Sequence, residues 1–329
     1  MKVAVAELRA LTSLALARLG YTSEDASLIR EALLYAELRG NNQGLIKIGT
    51  NAIPCDPKEG PIRILRKSAV SAVLDGNRRN GMVVMDRATE MAIEKSRQRG
   101  IAIVATRHTG TSTSAIGYYA ERIARAGHIG FVFSGTPKVV AMEGSSEPTI
   151  GTNPIAVGLP TGGEPVMLDM ATSAMAYFGV IEAKALGRQL PPGKAIDADG
   201  KDTNDPAKAI AGALKSFAGY KGAALALVVE ALTGPLAGGA LVGDKDVKTN
   251  RGNLIIAVDP DLLVERGEYE ARMAKLAKRV RAAKRRPGVS EILLPGERGG
   301  RRAKSAKASG FHDMDAELFA QFKRVAEGG

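Results

Sequence analysis

The chain is poorest in the residues that cross-link and ligate. Its 329 residues include one cysteine, Cys55, which excludes an internal disulfide, and three histidines, too few for a metal-ligand cluster at the usual spacings. No apolar run approaches the length of a membrane span. The first twenty residues carry Glu7, Arg9 and Arg18 in a helical pattern and lack an apolar core followed by a cleavage site. A cytoplasmic protein without a membrane partner is therefore expected. The fingerprint G-x-G-x-x-G is missing too, which argues against the common dinucleotide fold but not against an oxidoreductase. Internal repeats are absent, and biased composition is confined to glycine and basic residues around 299–307.

What remains is a globular composition, 45% hydrophobic and 25% charged, long enough for two or three lobes. The net charge of +11 raises a nucleic-acid reading, so its location matters. Much of it lies between Arg272 and Lys307, where Glu291 and Glu297 are the only acids and no aromatic residue offers a stacking face. A solvated helix face is expected there, with no nucleic-acid partner. Its charge can still draw in an anionic substrate or a phosphorylated cofactor.

Periodicity predicts helices over 3–19 and from Thr22 or Ser23 to about Leu38, the second with Glu24 and Asp25 in its first turn. A strand over 69–74, a helix over 84–98, a buried strand over 101–105, a helix over 118–125 and a strand over 128–134 follow, an α/β alternation. Further on, apolar helices are expected over 207–217 and 223–232, and a last core strand over 254–258. A basic helix over 268–284 has Met273, Leu276 and Val280 as its stripe. Residues 291–294 are expected to be extended and 313–326 helical.

The chain turns on Gly151 to Ala176, GTNPIAVGLPTGGEPVMLDMATSAMA. Ile155–Leu159 and Val166–Leu168 read as two strands around a turn. Asp169 then stands where a helix N-cap belongs, before the small residues Ala171, Thr172, Ser173 and Ala174. Free N–H groups there would suit an anionic ligand, or would belong to an ordinary capped helix.

This wording, GTNP and then DMATS, resembles the malate/L-lactate dehydrogenase family, which includes ureidoglycolate, sulfolactate and diketogulonate oxidoreductases and piperideine-2-carboxylate reductase. Leu38–Gly40, Ala72–Gly81, Ala115–Gly130, Pro191–Pro206, Tyr220–Gly222 and Leu293–Glu297 extend the resemblance over nearly the whole chain. It implies a non-Rossmann α/β fold: a mixed-sheet nicotinamide-binding core with a helical lobe from the N- and C-terminal segments. The expected division is 1–66 for the N-terminal helical lobe, 67–262 for the core, and 263–329 for a C-terminal helical segment packing with that lobe. NAD or NADP would meet a small carboxylate substrate in a cleft completed by the second subunit of a homodimer. The cofactor contacts implied are Thr136, Asp169, Met170, Ala171, Lys221, Pro295, Gly296 and Glu297.

Two departures from the family's pattern fall on its acid–base positions. Its loop R-G-x-x-S-H-G-x-x-R becomes Arg39 to Lys47, one residue shorter, with Gln43 at the histidine and Lys47 at the carboxylate-clamping arginine. Asn42, Gln43 and Lys47 are thus the expected substrate contacts. Glutamine supplies no proton at neutral pH, and lysine keeps the charge but loses the bidentate fork. Counting back from Gly117–Tyr118–Tyr119 puts Ser112 at the second histidine, with His108 four residues upstream. Lys47, Ser112 and His108 are the catalytic candidates. A 2-oxo acid needs a proton as hydride arrives, whereas a protonated cyclic imine does not. The expected activity is interconversion of 2-oxo and 2-hydroxy acids. The alternatives are reduction of a cyclic 2-imino carboxylate and a catalytically impaired cofactor-binding homologue.

Overall fold

A computed structural model describes residues 1–328. A short strand β1 (Lys2–Ala4) precedes α1 (Val5–Arg18), and α2 (Ser23–Leu38) is capped by the Thr22 hydroxyl, which accepts the Asp25 N–H at 3.2 Å. After α3 (Ile46–Gly49) come β2 (Arg63–Lys67), β3 (Ser71–Asp75), α4 (Gly81–Arg99), β4 (Ile101–Thr109), α5 (Gly117–Arg125) and β5 (Ile129–Ser134). Then follow β6 (Lys138–Ala141), β7 (Ile150–Gly151), β8 (Ile155–Leu159), β9 (Val166–Met170), α6 (Tyr177–Ala185), β10 (Ala195–Ile196), β11 (Asp202–Thr203), α7 (Pro206–Ala211) and β12 (Ala213–Lys215). The chain closes with α8 (Tyr220–Ala231), β13 (Arg251–Val258), α9 (Arg266–Arg281), α10 (Glu297–Ser309), β14 (Phe311–Asp313) and α11 (Ala316–Glu327).

Seven strands form the main sheet in the order β2-β3-β4-β13-β5-β8-β9; only β3 and β4 run parallel. The apolar run Leu254–Val258 lies at its centre, between β4 and β5. Helices α4 and α5 bury Met85, Ala88, Tyr119 and Ile123 against it with Val104, Val132 and Ile255. A second, five-stranded mixed sheet, β11-β10-β12-β6-β7, shares a smaller core with α6 and α8 through Val140, Leu214, Val180 and Ala226. Leu8, Leu16, Ile29, Leu33, Leu45 and Ile48 of the N-terminal helices and loop close around Phe319 and Phe322 of α11. β14 pairs with β1, and Ala303 and Ala306 of α10 pack on Leu38.

Several expectations need correction. Asp169 is not a helix cap: β9 continues through Met170, Ser173 bridges to Ser216, and the next helix starts at Tyr177 without a side-chain cap. The cross-strand partner Ala156 holds Asp169 in the sheet, which outweighs its capping propensity. The helix expected over 207–217 stops at Ala211, and 213–215 form β12. A Cβ on Gly212 would strike the backbone of β10 and the residue after it, so the chain turns there into the sheet. Residues 291–294 form no strand, and 297–309, expected as a turn and a biased tract, are the helix α10. The stripe on α9 is not a core face: none of its residues is buried, and Leu276 is 54% exposed.

Candidate active site

The GTNP segment is a structural keystone. Asn153 is fully buried at a φ of +30°. Its Oδ1 accepts the Thr136 N–H at 3.2 Å, while its Nδ2 donates to the Ala226 carbonyl at 3.1 Å and Glu230 at 2.8 Å. One amide thus ties the turn after β5 to α8. Thr172, just beyond β9, donates its hydroxyl to the Thr152 carbonyl at 2.9 Å. The ends of β5 and β9 and the start of β8 are thereby gathered at one place, and a cavity opens over them.

That cavity has a volume of about 640 Å³. Gln43, Lys47, Ser112, Thr136, Asp169, Met170 and Ala171 all line it, although they come from four separate stretches of chain. Beside it lies a second cavity of about 920 Å³, which contains Asn42, Pro295, Gly296 and Glu297 and shares Asp169 and Asn41 with the first. Its rim carries Arg39, Lys278, Arg281, Arg298, Arg301 and Lys304, of which Arg39, Arg281 and Lys304 are paired with Glu121, Glu297 and Glu164 on the same rim. At Gly296 the backbone has a φ of +86°, and a Cβ would come within 2.6 Å of Met167 Cβ, so the chain passes very close to β9 there. Two candidates lie apart. Lys221 is exposed near the start of α8 and lines neither cavity. His108 also lines neither; its Nδ1 is 3.0 Å from Asp75 Oδ1 and its backbone N–H donates to Asn250 at 2.8 Å.

Lys47 is buried on the short helix α3, only 1% exposed, with Nζ 3.4 Å above the centre of the Phe178 ring. Loss of water, and then the nearby Arg251 guanidinium, hold its pKa well below the usual lysine value. Arg251, at the head of β13, lines the same cavity; desolvation lowers even its pKa, to about 10. Asp169 lines both cavities and is exposed to them. Desolvation raises its pKa to about 6, opposed by the Gly117 N–H, which donates to Oδ2 at 3.1 Å, and by Arg39. A Cβ on Gly117 would come within 2.7 Å of that oxygen, so glycine permits the approach. Ser112 accepts the Ser114 N–H at 3.0 Å, which orders the loop facing Lys47.

Sequence reasoning missed Arg251 because the strand was taken to begin at Leu254. A strong cation at the head of an apolar strand was the signal available. Thr111 and Phe178 were missed as well, being a threonine among threonines and a phenylalanine in an apolar run.

Residues 3–323 match the family described as Malate/L-lactate dehydrogenase. The chain belongs to that family. As a malate/L-lactate dehydrogenase family member it is an oxidoreductase, its relatives being named dehydrogenases and reductases. It is 34% identical over 274 residues to the L-sulfolactate dehydrogenase of Methanothermobacter thermautotrophicus, covering 82% of this chain and 78% of that one. Its identity to Delta(1)-pyrroline-2-carboxylate reductase 1 of Burkholderia ambifaria is 37% over 234 residues, 67% of this chain and 66% of that one. The sulfolactate dehydrogenase structure from Methanocaldococcus jannaschii superposes with a TM-score of 0.83 at 30% identity, over 100% of this chain and 97% of that one. This family member therefore shares that mixed α/β fold. Among its described residues no helix is long and apolar enough to cross a membrane, and no cluster of His, Cys, Asp and Glu is arranged to hold a metal ion.

Proposed function

We propose that the protein uses a nicotinamide cofactor to interconvert a 2-oxo acid and a 2-hydroxy acid. The observation that carries this reading is the placing of Asp169, with its pKa near 6, on the wall of the cavity that also holds the buried cation Lys47. Lys47 would hold the substrate carboxylate. Asp169 would give its proton to the nascent alkoxide in reduction and take one from the alcohol in oxidation.

The residues present fit a nicotinamide dinucleotide. Thr136, Met170 and Phe217 offer a largely apolar wall, and the Thr111 hydroxyl beside it is buried without a partner. The adjoining basic cavity, with Arg298 and Arg301 near the start of α10, suits phosphates. When bound, the cofactor supplies or accepts a hydride. NAD or NADP would thus be held without a doubly wound sheet, in keeping with the largely antiparallel strand order. A homodimer belongs to the same reading: Tyr220, Leu227, Val228, Leu236 and Leu241, on α8 and beyond it, are all exposed apolar side chains.

One observation favours a reductase of cyclic 2-imino carboxylates instead: no histidine among the described residues lines the cavity. An iminium, however, would share the cavity with Lys47 and Arg251 as well as with Asp169. A panel of 2-oxo and cyclic 2-imino acids, tested with NADH and NADPH by nicotinamide absorbance, decides between them. Turnover of 2-oxo acids is expected; turnover of imines alone, or of neither class, overturns the proposal.

A further inference from the structure

The proposed function gives Lys47 its task but leaves open what holds it in the cavity. Residues 39–45 form neither helix nor strand, and α3, which carries Lys47, is a single turn of four residues. So short a helix has little stability of its own, and its first N–H groups need acceptors from outside it. Gln43 is anchored locally: its N–H donates to Asn41 Oδ1 at 3.0 Å, and its carbonyl accepts the Ser114 hydroxyl at 2.9 Å. Lys47 depends on the residue before α3, Leu45, which is wholly buried. The Leu45 N–H donates to Glu37 Oε2 at 2.9 Å.

Glu37 is oddly placed for a helix residue. It stands in the last turn of α2, where the dipole disfavours an acid, and that turn has no basic residue to offset it. Its side chain is turned away from solvent, 15% exposed, with Oε1 3.3 Å from Nε2 of His312 on β14. The loop closes tightly on it: a Cβ on Gly44 would stand 2.5 Å from Oε2 and 2.9 Å from the Glu37 backbone nitrogen. Glu37 lines neither of the two cavities described above, so it touches no substrate or cofactor bound in them. The loop that folds over it, rather than the helix that carries it, explains an acid at this position.

We propose that Glu37 is a positioning residue, which through the Leu45 N–H fixes the turn that presents Lys47 to the substrate carboxylate. The proposal rests on the 2-oxo acid reading for the task of Lys47, and on the hydrogen bonds alone for its placing. A carboxylate acceptor makes the stronger kind of hydrogen bond, and without it the Leu45 N–H is left buried with no partner. Helix α3 then loses its start, and Lys47 its fixed direction.

The test compares wild type with Glu37→Ala, Glu37→Gln and Gly44→Ala. Loss of a charge-assisted hydrogen bond predicts that Glu37→Ala raises the KM of the 2-oxo acid by about 10- to 100-fold. Its kcat and the KM of the cofactor should stay close to wild type, because Lys47 holds ground and transition states alike. Glutamine keeps an oxygen acceptor for Leu45, so Glu37→Gln should restore most of the loss. Gly44→Ala forces the loop off the same carboxylate; it should raise the same KM and add little when combined with Glu37→Ala. Acetic anhydride labelling, followed by peptide mass spectrometry, reads the loop without ligand or turnover. Lys47 should label slowly in wild type and in Glu37→Gln, and about tenfold or more faster in Glu37→Ala and in Gly44→Ala. Lys95, buried on α4 and bonded to the Ser68 carbonyl, should label equally in all of them. An unchanged KM for the 2-oxo acid, equal losses in both KM values, or Lys47 labelling that rises only together with that of Lys95 would overturn the role. Gly44→Ala carries the same comparison if Glu37→Ala does not fold. If the labelling behaves as expected and no 2-oxo acid is turned over, the positioning role stands and the proposed reaction falls.

Discussion

Lys47→Met should make the unliganded protein more stable while it weakens function. Methionine keeps the length and apolar stem of the side chain and removes a buried cation. Replacing a buried charge with a well-packed apolar group is neutral to stabilising by about 1–4 kcal/mol. Against this stands the contact of Nζ with the Phe178 ring at 3.4 Å, worth about 2 kcal/mol when desolvated. The net gain is therefore at most about 2 kcal/mol. Unfolding entropy of roughly 2.1 cal/mol/K per residue over 329 residues gives about 0.7 kcal/mol/K. The melting midpoint should rise by no more than about 3 °C.

The pH dependence separates this cause from ordinary repacking. The pKa of Lys47 is lower in the folded than in the unfolded chain. Between those two values the unfolded chain binds the extra proton, so wild-type stability increases with pH across that window. Lys47→Met lacks this slope. Its advantage should be largest below the folded pKa of Lys47 and should shrink as pH approaches the ordinary lysine value. Differential scanning fluorimetry at several pH values, each with and without millimolar malonate, reads both effects; malonate should raise the midpoint of wild type more than that of the variant. A variant less stable than wild type by the same amount at every pH would refute the reasoning, because Lys47 would then be a net structural contributor.

Three shorter predictions follow. Reduction by wild type should slow as pH rises through about 6, where Asp169 loses its proton, and oxidation should speed up through the same range; Asp169→Asn should abolish both limbs and lower kcat by about 10²- to 10⁴-fold in stopped-flow or steady-state assays. Gly296→Ala meets both a φ of +86° and Met167, so it should cost more than about 1 kcal/mol in chemical denaturation and raise the KM of the cofactor. Leu227→Asp, on the exposed apolar face of α8, should convert a dimer to a monomer in multi-angle light scattering; a wild-type monomer would overturn the dimer reading.

Legibility in the sequence followed the strength of local pattern. Ile155–Leu159 is an apolar run before a turn and stands as β8 with the expected bounds, and Thr22 followed by Glu24 and Asp25 marks the start of α2 correctly. The five-stranded sheet was invisible because β7, β10 and β11 have two residues each, too few to show a period. Helix α10 was hidden by its composition: Glu297–Ser309 has no large apolar residue, and it packs through Ala303 and Ala306 alone. Asp169 misled in the opposite way, since a good capping residue before small residues is a helix signal that the β8 ladder overrides. Within the site, Lys47 was reached through the resemblance, because a lysine in a loop carries no mark of burial. Arg251 was not reached, because its place in the cavity of Lys47 is visible only when the fold brings α3 and β13 together.

The loss of water explains how the cavity can work near neutral pH without imidazole. All three histidines are engaged elsewhere: His108 lies beside Asp75, His128 is buried 3.7 Å from Asp259, and His312 is 3.3 Å from Glu37. Gln43 and Ser112 stand at the positions where the resemblance leads one to expect histidine, and neither titrates in this range. The groups that remain are an amine and a carboxyl, whose ordinary pKa values lie far to either side of 7. Removal of water moves both inward, Lys47 downward and Asp169 up to about 6. One physical cause thus brings both groups closer to neutral pH, and on the proposed function Asp169 is the one that passes a proton to the reacting oxygen. Arg251 completes this division of labour. Its charge, after the loss of water, lowers the Lys47 pKa, and an incoming anion offsets the repulsion between the two side chains.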